Sequence, residues 1–180
     1  MKFCRFTFYF LVFSFLFAAC SDKPLTSYVN PLVGTDGHGH TFPGAIVPFG
    51  QIQPSPDTRL EGWDGCSAYH YSDDTIYGFS HTHLSGTGCE DYGDLLLMPA
   101  DIDDIQKLDF GPNMRNVYKH HFQHKNETAK AGYYKVMLDD NGLPCTIVEL
   151  TADRRVAYQK QVQQSSSTRM QRRMNQTKTM

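Results

Sequence analysis

The chain has 180 residues, and its 17 Lys plus Arg against 19 Asp plus Glu leave a formal net charge of -2. That length suits one domain of ordinary size, and the balance excludes a generally basic nucleic-acid binder and an acidic disordered chain. Aromatic content is 13%, but seven of the 12 Phe fall within the first seventeen residues, so the remaining core is leaner than the total suggests.

Those first residues read as an address. Lys2 and Arg5 precede an apolar run, Phe6 to Phe17, broken only by Thr7 and Ser14. Such a run is too short to span a bilayer and suits a secretory signal. It ends in Phe17-Ala18-Ala19-Cys20, which is similar to a bacterial lipobox, so Cys20 is the expected lipidation site and residues 1–19 the signal peptide. The expected location is a bacterial cell envelope, with the membrane reached through the N-terminal lipid anchor. Without lipidation the chain would be secreted. Residues 20–27 form a polar linker.

Removing Cys4 and Cys20 leaves Cys66, Cys89 and Cys145, an odd number with no Cys-x-x-Cys, which argues against a thiolate zinc site. A Cys66–Cys89 bridge and buried thiols both remain open.

From Tyr28 to Tyr158 short apolar segments alternate with Gly, Pro, Asn and Asp. Asp94 to Met98 reads as a short buried strand stopped by Pro99. Gly132 to Leu138 predicts a strand with Tyr134, Val136 and Leu138 on one face, and Asn141-Gly142 a tight turn. Pro144 to Leu150 is the returning strand. No long segment carries helical periodicity, so the expected fold is all-β, a sandwich over residues 28–158. The composition then changes: Gln161 to Met180 has no Gly, Pro, aromatic residue or acid. Residues 159–180 are expected to form a disordered, aberrant tail, because they offer too little apolar surface to offset their ordering entropy. Neither its few charges nor the rest of the chain suggests a nucleic-acid partner.

Loop-borne chemistry concentrates between Tyr28 and Asp94. Glycines 34, 37, 39 and 44 crowd its first part, yet no Gly-Lys-Ser/Thr or βαβ unit marks a nucleotide loop. Five of the eight His lie here: His38, His40, His70, His81 and His83. A His-x-His pair on a strand points both rings to one face and can bind a transition metal; equally, these rings can position loops. Spacing identifies no third ligand, so no metal site is assigned. Trp63, the one Trp, sits in a Gly-rich loop where it would stack on a sugar face or enter the core. Glu90, Asp91 and Asp94 form an acidic group suited to a turn, to acid–base work or to calcium.

Several motifs resemble glycoside hydrolase family 92, the calcium-dependent inverting exo-α-mannosidases. They are Asn30-Pro31, Gly34-Thr35, Gly37-His38-Gly39-His40-Thr41-Phe42-Pro43-Gly44, Pro48-Phe49-Gly50 and Gly78-Phe79-Ser80-His81-Thr82-His83-Leu84-Ser85-Gly86-Thr87-Gly88. The resemblance extends through Glu149-Leu150-Thr151-Ala152 and implies the family's N-terminal β-sandwich. It also implies a following (α/α)6 domain, which these 180 residues do not contain, carrying the catalytic acid, the base and most calcium contacts. No catalytic residue is therefore assigned here. Substrates would be mannose-containing glycans, and the sandwich would contribute Trp63 to the sugar pocket, with Asp36, His38, Cys66, His81 and His83 beside it. Two other readings are a stand-alone carbohydrate-binding lipoprotein and a small His-based metalloprotein.

Overall fold

The computed structural model describes residues 23–86, 88, 93–100, 118–139 and 145–163. Among the described residues seven strands carry the fold: β1 (Ser55–Asp57), β2 (Thr75–Ile76), β3 (Gly78–Ser80), β4 (His120–Lys130), β5 (Tyr133–Asp139), β6 (Thr146–Ala152) and β7 (Ala157–Gln163). All pairings are antiparallel. β1 and β3 make a two-stranded sheet, and the second sheet runs β2-β4-β5-β6-β7. The fold is all-β, as expected; among the described residues the named helical elements are two short 3-10 turns, Leu25–Tyr28 and Trp63–Gly65.

The large sheet forms because its central strands alternate. On β5, Tyr134, Val136 and Leu138 are fully buried, and on β6 Val148 and Leu150 lie opposite them. Each such side chain contributes roughly 1.5–3 kcal/mol when withdrawn from water. Phe122 of β4, Ile76 of β2 and Phe79 of β3 join the same core, so both sheets share it. Ala45 and Tyr69, from the long loops between Leu32 and Tyr71, close the cluster from above.

Two expectations need correction. Asp94 to Met98 is not a buried strand. Leu97 makes a single bridge to Phe79, Leu95 and Leu97 stay exposed, and Leu96 packs over Gly78, where a Cβ would meet its methyl groups. Its pairing with β3 stops at that one bridge, so the apolar run stays at the edge of the small sheet.

The sheet also does not end at Tyr158. β7 continues to Gln163 and pairs with β6 residue by residue, from Ala152↔Ala157 to Thr146↔Gln163. Gln159 to Gln163 thus belongs to the sheet and not to a tail. An edge strand can be this polar because its ladder, not a buried face, holds it, and polar side chains protect the open edge. The rest of the tail, the signal segment and the Asn141-Gly142 turn lie outside the described residues.

On the outer face of β5 and β6, Tyr133 donates its hydroxyl to Glu149 at 2.6 Å, with Lys135 and Lys160 at 3.7 and 3.6 Å from the same carboxylate. The hydrogen bond from Tyr133 is the main cause holding the Glu149 carboxyl below its usual range; the two lysines add to it. Burial first, and Glu149 second, push the Tyr133 phenol up to about 12. A carboxyl with a depressed folded pKa stabilises above its unfolded value and loses that contribution as pH falls through the folded one. Urea unfolding should therefore show Tyr133→Phe less stable than the parent near neutrality, with the gap closing in acid. A gap independent of pH would contradict this assignment.

Candidate functional site

The loops above the core are shaped by backbone that only small residues permit. Gly34 and Gly37 adopt φ of 82° and 57°. Gly39 packs directly on the backbone of Gly34, where any Cβ would collide with the carbonyl. Two hydrogen bonds lock the loop from either side: Thr41 N–H to Gly34 O at 3.3 Å and Tyr71 N–H to Thr35 O at 2.8 Å. His70 adds a third, donating Nε2–H to Gly37 O at 3.0 Å while Nδ1 faces Ser72.

With Gly39 pressed inward, its two neighbours turn the same way. His40 takes a left-handed φ of 51° and its side chain is buried. Residues held there cost of order 1–3 kcal/mol and persist where the surroundings impose them. His38 stays open to solvent. Both rings reach one oxygen: His38 Nδ1 lies 2.7 Å and His40 Nε2 3.2 Å from Asp64 Oδ1. The His38 contact is the main cause holding the Asp64 carboxyl below its usual range, with His40 adding to it.

Asp64 arrives on the 3-10 turn Trp63–Gly65, which Gly62 enters at φ 83°. That turn also presents Trp63, 58% exposed, with the His40 ring meeting it edge-to-face at a centroid distance of 5.1 Å. Trp63 is therefore a surface platform and not a core residue. Asp36 caps its own turn by accepting from Gly37 N–H at 2.8 Å, and its other neighbour is His70, 3.9 Å away.

Of the residues expected to form a sugar pocket, Asp36, His38 and Trp63 thus share one lip. The other three do not join them. Cys66 donates its thiol to Gly86 O at 3.3 Å and, with Thr82, His83 and Leu84, lines a neighbouring pocket of about 180 Å³. His83 is buried against Asp57 at 2.8 Å; its Nδ1 faces Gln53 O, and Ser80 donates to the same carboxylate. This buried group ties β1 to β3 and has a structural job. His81 faces Gln159 of β7, and burial is the main cause holding its imidazole below the usual range.

Asp64 and Asp57 were missed from sequence. Each lies 26 residues from its histidine, His38 and His83 respectively, and no spacing rule connects them. The one available signal was adjacency, since Asp64 follows Trp63. In the acidic group, Asp94 accepts from Thr82 Oγ1 on an exposed loop, while Glu90 and Asp91, like Cys89, lie outside the described residues.

Calcium fits this lip poorly. It takes six to eight hard oxygens, whereas the one convergent set of three ligating side chains among the described residues offers two imidazoles and a carboxylate.

The family model described as glycosyl hydrolase family 92 N-terminal domain matches residues 28–174. The chain belongs to glycosyl hydrolase family 92. A curated relative from Arthroderma benhamiae, described as an uncharacterized secreted glycosidase, is 34% identical over 129 residues, 70% of this chain and 16% of that protein. The solved family GH92 α-mannosidase of Bacteroides thetaiotaomicron, in complex with mannoimidazole, is 40% identical at a TM-score of 0.63, over 77% of this chain and 18% of that one. The GH92 family glycosyl hydrolase ccman5 is 27% identical at a TM-score of 0.61, over 76% and 18%. The chain therefore spans less than a fifth of the length of these relatives.

Proposed function

We propose that this chain supplies the sandwich wall of the sugar site in an exo-acting α-mannosidase that hydrolyses terminal α-mannosides of glycans. The observation that carries the reading is Trp63, an exposed ring on a locked loop, flanked by polar groups at its edge. An apolar face with polar groups alongside is what a pyranose ring requires, because one face of the sugar is hydrocarbon and its rim is hydroxyl. The 40% identity to a family GH92 α-mannosidase supports the same reading.

The chain alone is inactive under this proposal. An inverting glycosidase needs one carboxyl as acid and a second as base, about 6.5–9.5 Å apart across the scissile bond. At this lip Asp64 is engaged by two imidazoles and Asp36 by its own turn. Asp57 and Glu127 are buried in polar clusters. The acid and base then come from a helical domain packed against the sandwich, and calcium would be held on that domain.

The test is twofold. Mannoside binding to the chain, read by Trp63 fluorescence and calorimetry, should be lost in calorimetry of Trp63→Ala. Hydrolysis of an aryl α-mannoside should require the helical domain added separately. Sugar binding with no gain of activity on that addition would favour the stand-alone binding lipoprotein. Turnover by the chain alone would overturn the proposal.

The envelope location rests on the signal segment and Cys20, with the relative described as secreted supporting export. Mass spectrometry of the mature N-terminus should find Cys20 diacylglyceryl-modified in the membrane fraction. An intact Met1 would contradict it.

A further inference from the structure

We propose that His38, His40 and Asp64 form a binding site for a borderline divalent transition ion such as zinc, copper or cobalt. Three side chains from two loops each offer one ligand atom, and these atoms lie within 4.8 Å of one another. Two ring nitrogens converge on a single carboxylate oxygen, at 2.7 and 3.2 Å. Ligands of a tetrahedral ion with bonds near 2.0–2.1 Å stand about 3.3 Å apart. The His40–Asp64 edge already has that length. The His38 edge needs to open slightly, and the 78% exposed His38 side chain is free to swing.

The donor set selects the metal. Imidazole suits zinc, copper and nickel, whereas calcium and magnesium take oxygen shells. Three protein ligands leave a fourth position for water or another small oxygen ligand, the pattern of an open site and not a closed structural one.

The site is also preformed. Gly39 on the Gly34 backbone, the left-handed φ of His40 and the bond from His70 to Gly37 set the loop backbone and the buried His40 ring before any ion arrives, and the His38 ring adjusts to it. Among the described residues His40 Nδ1 is buried without a protein partner. The ring's polar engagement is therefore through Nε2, the atom aimed at Asp64.

This inference stands apart from the proposed mannosidase role, since failure to bind metal would leave sugar binding at Trp63 untouched. It has a built-in reporter. Trp63 is the one Trp of the chain, and its ring contacts His40.

The experiment uses the full chain, purified without a histidine tag and stripped with chelator. Zinc, cobalt and copper salts are titrated separately, reading Trp63 emission, bound metal per chain and the cobalt visible spectrum. The expected result is saturable binding of one ion per chain, quenching of Trp63 by copper or cobalt, and no competition from calcium. His38→Ala and Asp64→Asn should each weaken binding about tenfold or more, since loss even of a supporting partner commonly costs 10–100-fold. His38 is exposed, so its replacement should leave the far-UV spectrum unchanged. His121→Ala, on β4 and outside the lip, should bind as the parent does. Absence of saturable binding would show a hydrogen-bonded His–Asp–His array only, and overturn the proposal. Equal affinity in the parent, His38→Ala and Asp64→Asn would overturn it as well.

Discussion

A carboxylate withdrawn from water, Glu127, fastens the binding lip to the sheet. Its side chain is 1% exposed and receives three hydrogen-bonding partners: Tyr69 at 2.9 Å, Tyr134 at 2.7 Å and His124 at 2.8 Å. A charge in that position is tolerated only when its lone pairs are filled, and removing a partner leaves a strongly unfavourable buried group. Burial is the main cause pushing both phenols above their usual range, and Glu127 adds to it, so they stay protonated and remain donors. Tyr134 belongs to β5, Glu127 to β4 and Tyr69 to the loop that carries Trp63. The register of β4 against β5 slips between Phe122 and Glu127. That irregularity places the carboxylate where Tyr69 can reach it.

From Tyr69 the constraint passes to the site through a short chain of contacts. His70 N–H binds Thr58 Oγ1 at 2.8 Å, and Thr58 Oγ1 in turn donates to Asp73 at 2.9 Å. Tyr71 N–H holds Thr35 and His70 holds Gly37. The two loops that meet at His38, His40 and Asp64 are thus fixed by the same three residues, 69 to 71. Preorganisation of this kind lowers the ordering cost of binding, whether the guest is a sugar or an ion.

How much of this was legible depended on where each element gets its stability. β5 and β6 were readable because Tyr134, Val136 and Leu138 alternate in sequence as they do in space. β7 was not, because Lys160 and Gln161 are exposed, the half-buried Gln159 is polar, and the strand exists through its ladder to β6. β4 has the same difficulty, since Phe122 is its one buried hydrophobic residue. At the site, Trp63, His38 and Asp36 stood out by residue type. Asp64, Asp57 and Glu127 did not, because their roles come from partners that only the tertiary fold brings within hydrogen-bonding distance. His83 looked like pocket chemistry beside His81, yet Asp57 claims it for the interior.

The claim that Glu127 holds the lip in place is tested most directly by native-state amide exchange, comparing the chain with its Glu127→Gln variant. In the parent, the amides of Thr58, Ala68, His70 and Tyr71 should exchange as slowly as those of β5 and β6. In the variant, these loop amides should speed up together while β5 and β6 keep most of their protection. Loop amides already exchanging freely in the parent, or unchanged by the substitution, would contradict the account.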